Sequence, residues 1–262
     1  MFDTRTRRGR WGLQLLVTVL VIPFAFPLVV MLQGSLVGQG LGNYAVVLSQ
    51  PELPYFFRNS LIIAAATIVI VYALALLAAF GFSKLRVRGR ELLFWMLLIC
   101  LTLPEVVLLT PLFATTLQLG IYNTYWAVVL PLAALQIPFA VLLARAFLDG
   151  VPDDIVDAAR IDGASSMQVF LYVIVPLTRP IAAAIVVLTL IGAWNDYLLP
   201  LVFLTDPQSQ TITLLPQFFI GQFSYDTTKV LAASVVSALP IVVAYMLLQR
   251  YFERGLAAGA LK

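Results

Sequence analysis

Two acidic residues, Glu105 and Asp196, lie within long apolar stretches of a chain of 262 residues, of which 61% are hydrophobic and 11% charged. Acidic side chains inside a membrane are costly and usually face a protein interior or water, where they can relay protons. The pair therefore allows an ion-coupled secondary transporter that uses Glu105 and Asp196 as a proton relay. Asn195 and Tyr197 flank Asp196 in the stretch WNDYLLPL (194–201) and place further hydrogen-bonding groups beside it.

Enzymatic chemistry finds little support in the residue types. The chain contains no histidine and one cysteine, Cys100, which excludes a Ser-His-Asp triad, a Cys-His pair and a histidine-ligated metal. We therefore predict no catalytic residue and no metal site. The sequence also contains no G-x-x-x-x-G-K-[ST] phosphate loop. Its basic residues are scattered at helix ends without interleaved aromatic residues, so membrane lipid is an expected partner and nucleic acid is not.

The hydropathy pattern predicts an all-α, polytopic membrane protein with six transmembrane helices in a single domain, 1–262. A spanning helix needs about 20 mostly apolar residues, because lipid offers no partner for exposed backbone groups. The stretch QLGIYNTY supplies a turn that separates the third span from the fourth. The predicted spans cover about 11–33, 59–83, 91–117, 124–147, 177–204 and 230–251.

The distribution of basic residues predicts how these spans are oriented. Lys and Arg are retained on the cytoplasmic side of a membrane. With the N-terminus inside, every Lys and Arg except Arg58 and Lys229 falls on the inner side. Both termini and the loop at 148–176 are therefore predicted to be cytoplasmic, in a multi-pass membrane protein.

The loop at 148–176, which we call the elbow, contains the longest polar stretch of the chain and predicts two short helices. Pro152 suits the first position of a helix, and aspartates follow it in the early turns, where the helix dipole favours negative charge. Gly163 can adopt the left-handed conformation that ends a helix. Ser165 and Gln168 then form a capping box that starts the second helix.

The first helix of the elbow carries small residues that indicate a partner. Ala158 and Ala159 present almost no side chain, which lets another protein approach the helix backbone closely. An alternative is a helix lying on the lipid headgroups, but Asp153, Asp154 and Asp157 would be repelled by an anionic leaflet. We therefore favour docking of a protein over contact with lipid.

The stretch DAARIDGASSMQVFLYVIVP resembles the EAA loop of the membrane subunits of bacterial ABC importers. The matching positions are Asp157, Ala158, Ala159, Gly163, Val173, Val175 and Pro176. Asp157 stands where the family usually has Glu. Together with NSLIIA (59–64), WNDYLLPL and QRYFERGLAAGALK (249–262), the chain is similar to the smaller permease of carbohydrate importers, of the maltose-permease type.

The resemblance implies the type I ABC importer permease fold and a non-catalytic subunit of an ATP-driven, binding-protein-dependent importer for a sugar or oligosaccharide. It also implies the partners, which are a second homologous permease, two cytoplasmic ATPase subunits and an external solute-binding protein. This chain would bind no cofactor, with ATP and Mg held on the ATPase subunits. A secondary transporter remains the alternative, but it predicts a self-sufficient chain and gives the elbow no function.

The resemblance also assigns residues to sites. The elbow would be the coupling helix in a cleft of the ATPase, through Asp157, Ala158, Ala159, Arg160, Asp162, Gly163, Met167 and Phe170. The C-terminal tail would contact the ATPase through Arg254, Gly255 and Gly259.

A substrate path and an outer contact complete the expected sites. Glu105, Asn195, Asp196 and Tyr197 would line a polar path and bind sugar hydroxyls, and Trp194 would offer a stacking face. Equally, the WND residues could cap or brace neighbouring helices. In the outer loop at 205–228, Gln217, Phe218 and Phe219 would contact the external binding protein, or else form a lid packed on the helix bundle.

Overall fold

The computed structural model describes residues 7–85, 87–221 and 226–260, with side chains for 10–85, 87–221 and 226–250. Its α-helices are α1 (Arg7–Ser35), α2 (Leu41–Leu48), α3 (Leu53–Lys84), α4 (Arg90–Ile99), α5 (Glu105–Gln118), α6 (Tyr125–Asp149), α7 (Asp153–Ile161), α8 (Ser166–Val169), α9 (Val175–Leu177), α10 (Arg179–Asn195), α11 (Leu198–Phe203) and α12 (Thr227–Ala260). Within those described ranges no β-strand occurs, which confirms the predicted all-α class.

Four helices are long and apolar enough to cross a membrane, namely Arg10–Ser35, Leu53–Lys84, Tyr125–Asp149 and Thr227–Arg250. Two bent helix pairs pass the same test, and each would add one span if it crosses the membrane as a unit. The prediction of a polytopic helical membrane protein is therefore confirmed.

The predicted third span, about 91–117, is two helices instead of one. The pair Arg90–Thr102 and Glu105–Gln118 is bent by 102°. Leu103 is extended, with φ −81° and ψ 117°, which is the conformation that the ring of a following proline imposes on the residue before it. Pro104 therefore breaks the helix, whereas Pro23, Pro27 and Pro111 lie inside continuous helices.

The predicted fifth span, about 177–204, is also interrupted. The helical run Ser166–Leu177 meets α10 at an angle of 78°. At the other end α10 stops at Asn195, Asp196 takes extended backbone angles, and α11 begins at Leu198. Each of the two interrupted spans therefore has a helix end beside an acidic residue, Glu105 or Asp196.

The chain divides into two compact units. The larger unit comprises residues 52–214 and 239–262, and in it α3 packs along α6 and α10. Small residues lie at this contact, with Ala75 and Ala79 of α3, Ala144 of α6 and Ala184 of α10 all buried. Small side chains let helix backbones approach closely, which is how helices associate within a membrane.

The smaller unit comprises residues 1–51 and 215–238. The Asn43 side chain donates hydrogen bonds of 2.9 Å to the carbonyl oxygens of Ser35 and Val37, which fixes the turn between α1 and α2. Asp226 precedes α12 and accepts hydrogen bonds from the side chains of Lys229 and Thr228 and from the Lys229 N–H. These bonds lower the pKa of Asp226 to about 2, so this carboxylate stays ionised at neutral pH.

Candidate functional site

The first limb of the elbow is α7, and its limits follow the predicted signals. Pro152 lies just before the helix, one position earlier than expected, and Asp153 and Asp154 occupy the first turn. Gly163 has a φ of 85°, and the N–H groups of Gly163 and Ala164 bond back to Arg160 and Ala159 at 3.0 Å. This left-handed end confirms that the glycine stops the helix.

The second limb begins with the predicted capping box. The Gln168 N–H donates to Ser165 Oγ at 3.3 Å, and the Ser165 N–H donates to Gln168 Oε1 at 2.8 Å. The α-helix then changes into a π-helical turn at Phe170–Ile174 before α9. Such turns are rare and are frequently found at functional sites.

The predicted docking residues are divided between an exposed face and the protein interior. Asp157, Ala158, Arg160, Asp162, Gly163 and Met167 are exposed, and Ala159 is half-buried. Phe170 differs from the prediction, because it is buried and its ring packs 5.6 Å from that of Phe80 in α3. Ile161 was missed, although its 87% exposure makes it the most exposed apolar residue of α7.

A cavity of about 580 Å³ lies between α5, α6 and α10. Four of the five predicted path residues line it together, which are Glu105, Asn195, Asp196 and Tyr197. The 102° bend at Pro104 places Glu105 at the same cavity as the C-terminal end of α10.

Trp194 is the predicted path residue that the structure places elsewhere. It is buried, does not line the cavity, and packs its ring 6.3 Å from that of Phe57 in α3. The structure therefore gives no support to a stacking face for sugar at Trp194 in this cavity, and that role stays a prediction. Its bracing of α10 against α3 agrees with the alternative reading of the WND residues.

Three buried polar atoms of this cavity have no hydrogen-bond partner within the described part of the chain. They are Glu105 Oε1, Gln136 Nε2 and Asp196 Oδ2. The Asp196 carboxylate also accepts backbone N–H groups at the start of α11, from Tyr197, Leu198 and Leu199. Asp196 thus braces a helix end and still leaves one oxygen for another ligand.

Gln136 and Gly192 complete the cavity and were missed by the sequence analysis. The Gln136 amide lies directly against α10 at Gly192, where a Cβ would meet Gln136 Nε2 at 3.0 Å and its Cδ at 3.1 Å. A larger residue at Gly192 would push the amide aside. The signal available in the sequence was an isolated amide within an otherwise apolar span.

The motif NSLIIA fastens the outer loop to the start of α3. Asn59 Nδ2 donates to the carbonyl oxygens of Gln208 (2.8 Å) and Gln210 (2.9 Å), and Asn59 Oδ1 accepts from Tyr125. The Ile212 N–H donates to Ser60 Oγ at 2.9 Å. These bonds satisfy the backbone of residues 208–212, and both side chains are buried.

The remaining predicted contacts are placed as follows. Phe218 is 40% exposed, whereas Gln217 and Phe219 are half-buried. Arg254, Gly255 and Gly259 belong to the last part of α12, where the side chains lie outside the described residues. Their predicted contact with an ATPase stays a prediction.

Comparison with known proteins places the chain among transport proteins. Residues 72–258 match the family described as binding-protein-dependent transport system inner membrane component. The trehalose/maltose transport system permease protein MalG of Thermococcus litoralis is 34% identical over 85% of this chain and 81% of its own length. The similarity therefore extends over most of both proteins.

Solved structures show the same fold. A chain of a bacterial ABC transporter involved in the import of the acidic polysaccharide alginate matches with a TM-score of 0.77 and 20% identity, over 96% of this chain and 99% of that one. A bacterial alginate transporter in complex with a pentasaccharide-bound periplasmic protein matches with a TM-score of 0.70 and 13% identity, over 91% of each chain.

Proposed function

The chain belongs to the binding-protein-dependent transport system inner membrane component family, and we propose that its elbow docks on a separate ATPase while its cavity forms part of a sugar path. It is a non-catalytic, membrane-spanning permease subunit of an ATP-driven importer for sugars or oligosaccharides. It is a multi-pass protein of the inner membrane. Both termini and the elbow would lie in the cytoplasm, as the basic residues indicate.

The exposed and rigid elbow is the observation that carries this proposal. Gly163 and the capping box fix the angle between its limbs, and α7 presents Ala158 and the 87% exposed Ile161. An apolar side chain that is fully exposed beside small residues suits a cleft in another protein. Two ATPase subunits holding ATP and Mg, one for this elbow and one for that of a second permease, would meet this requirement.

The cavity favours a neutral sugar over a charged ligand. Glu105 Oε1 and Asp196 Oδ2 can accept hydrogen bonds, and Gln136 Nε2 can donate them. A sugar with neighbouring hydroxyl groups donates and accepts, so it can satisfy all three atoms. A cation would satisfy only the two carboxyl groups, and an anion only the Gln136 amide. Among the described residues that line the cavity there is no Lys or Arg to pair with an anion.

The cycle would use two states of the permease. The cavity would open inward at rest and outward when the ATPase dimer closes on the two elbows. The external binding protein would deliver sugar from the outer side, with Gln217, Phe218 and Phe219 as its contact. The tail at Arg254, Gly255 and Gly259 would add a second contact to the ATPase.

Affinity purification of the tagged chain in mild detergent tests the proposal, with mass identification of the proteins that accompany it. We expect an ATPase and a second permease to co-purify. Ala158→Trp, at an exposed alanine of α7, should remove the ATPase, because the indole blocks close approach to the helix, while membrane insertion stays intact. Ala45→Trp, at an exposed alanine of α2, is the matched control and should keep it.

The opposite result would favour the secondary transporter. A chain that purifies alone and moves solute with a proton gradient would need Glu105 and Asp196 as its proton relay. Retention of the ATPase by Ala158→Trp would contradict docking through α7, even if the importer itself were recovered.

A further inference from the structure

The C-terminal end of α3 holds both limbs of the elbow. Phe80 and Lys84 are one helical turn apart and share a face of α3. Lys84 Nζ donates 2.6 Å hydrogen bonds to the Val151 carbonyl oxygen and to Asp153 Oδ1 at the start of α7. Phe80 packs on Phe170 in the second limb. Helix α3 therefore contacts the elbow on either side of the Gly163 turn.

The Lys84 contact is strong enough to fix the start of α7. The Lys84 side chain is 3% exposed, whereas that of Asp153 is 77% exposed. A buried ammonium group needs hydrogen-bond partners, because leaving it unpaired is costly. Lys84 cannot move away from Val151 and Asp153 without losing both. A displacement of α7 must therefore be accompanied by a displacement of the end of α3.

Further contacts join the C-terminal end of α6 to the C-terminal end of α3 and to α4. Ser83 Oγ donates to Asp149 Oδ1 at 2.6 Å, which joins the last turns of α3 and α6. Arg145 bonds to Glu91 Oε1 at 2.6 Å and lies 4.1 Å from the centre of the Phe94 ring in α4. The elbow thus rests on a set of helix ends joined by polar contacts.

The other end of α3 holds the outer loop. Asn59 and Ser60 bind the backbone of residues 208–212, and about 37 Å of continuous helix separates Asn59 from Lys84. A helix of this length, packed along α6 and α10, transmits displacement as a rigid element. Residues 208–212 and the start of α7 are therefore attached to opposite ends of helix α3.

We propose that α3 carries the movement of the elbow across the membrane to the outer loop, with Lys84 as the positioning residue that couples α7 to α3. This rests on the proposed docking of the elbow on an ATPase. The outer loop responds to nucleotide because Asn59 and Lys84 belong to the same helix.

A single-cysteine reporter on the outer loop tests this coupling. In the purified importer with Cys100→Ser, the exposed Gln208 is changed to Cys and its rate of reaction with a maleimide is measured. Addition of Mg and a non-hydrolysable ATP analogue should change this rate by about fivefold or more. Lys84→Met should abolish the change while the ATPase still co-purifies. Arg88→Met, at an exposed residue nearby, should retain it.

The outcomes separate this inference from the proposed function. A nucleotide response that is absent in the parent, or that persists fully in Lys84→Met, would overturn the role of α3. Absence of any ATPase from the parent complex would instead overturn docking. If Lys84→Met does not assemble, Asp153→Ala gives the answer, since it removes one of the two Lys84 contacts. It should reduce the response, and an unchanged response would refute the inference.

Discussion

Gly192 controls the position of the one amide donor among the three unpaired polar atoms of the cavity. A side chain at this position would collide with the Gln136 amide, so Gly192→Val should displace that amide from the cavity. Loss of one hydrogen bond to substrate costs about 1 kcal/mol, or about fivefold in affinity. We expect the apparent KM for uptake of the solute carried by the intact importer to rise by about that factor.

A matched glycine controls for loss of helix flexibility. Gly81 in α3 has nothing within 4 Å of an added Cβ, so Gly81→Val should leave the KM unchanged. Gln136→Leu should reproduce the effect of Gly192→Val, and combining the two should add little, because both remove the same donor. Additive effects would show that Gly192 acts elsewhere than through Gln136.

Single residues differ in how well the sequence reveals their placement. Asp196 could be identified from the sequence because an acidic residue in an apolar span usually has a functional role, and the structure places it in the cavity. The sequence could not show that Trp194 is placed differently from Asp196, because an aromatic ring in a short polar motif can either line a binding site or pack in the protein interior. Only the packing against Phe57 resolves that ambiguity, and this contact depends on the neighbouring helix α3.

Helix signals within the elbow were readable because they are local. A glycine stop and a capping box act within a few residues, and both are present in the structure as expected. The breaks at Leu103 and Asp196 could not be predicted from hydropathy, since the helices before and after each break are similarly apolar. A proline such as Pro104 can kink a helix, but the size of the bend, 102°, depends on packing between helices.

The turn at Gly163 provides a test of the elbow as a unit. With φ at 85° and open space around the Cα, a substitution there meets only backbone strain, of about 1 kcal/mol for most residues. Gly163→Val should lower recovery of the ATPase on the tagged chain, because a β-branched residue disfavours the left-handed turn. Gly163→Asn should recover more, since Asn tolerates this conformation.

Comparing Gly163→Val with Gly163→Asn separates the effect of backbone strain from the effect of side-chain size. Both add a side chain of similar size to an exposed position, so a simple steric block of docking would affect them equally. Gly163→Pro should be at least as damaging as Gly163→Val, because proline cannot adopt a positive φ. Equal recovery in all three variants would contradict a role for the fixed angle of the elbow.

The basic residues predict the orientation of the whole molecule, and the two that are predicted to lie on the outer side are locally engaged. Arg58 lies 5.3 Å from the centre of the Tyr55 ring and hydrogen-bonds to Asn59. Lys229 pairs with Asp226 at 2.7 Å. Each exception to the positive-inside pattern therefore has a structural function that accounts for a positive charge at its position.

Labelling from one side of the membrane checks this orientation. In intact cells with Cys100→Ser, a membrane-impermeant maleimide should react with Gln208→Cys in the outer loop and not with Arg88→Cys between α3 and α4. Permeabilised cells should label both, since both positions are exposed. The reverse pattern in intact cells would place the elbow outside, where no ATP-hydrolysing partner could reach it. Because Arg88 and the elbow lie at the same end of α3, one result decides the side of both.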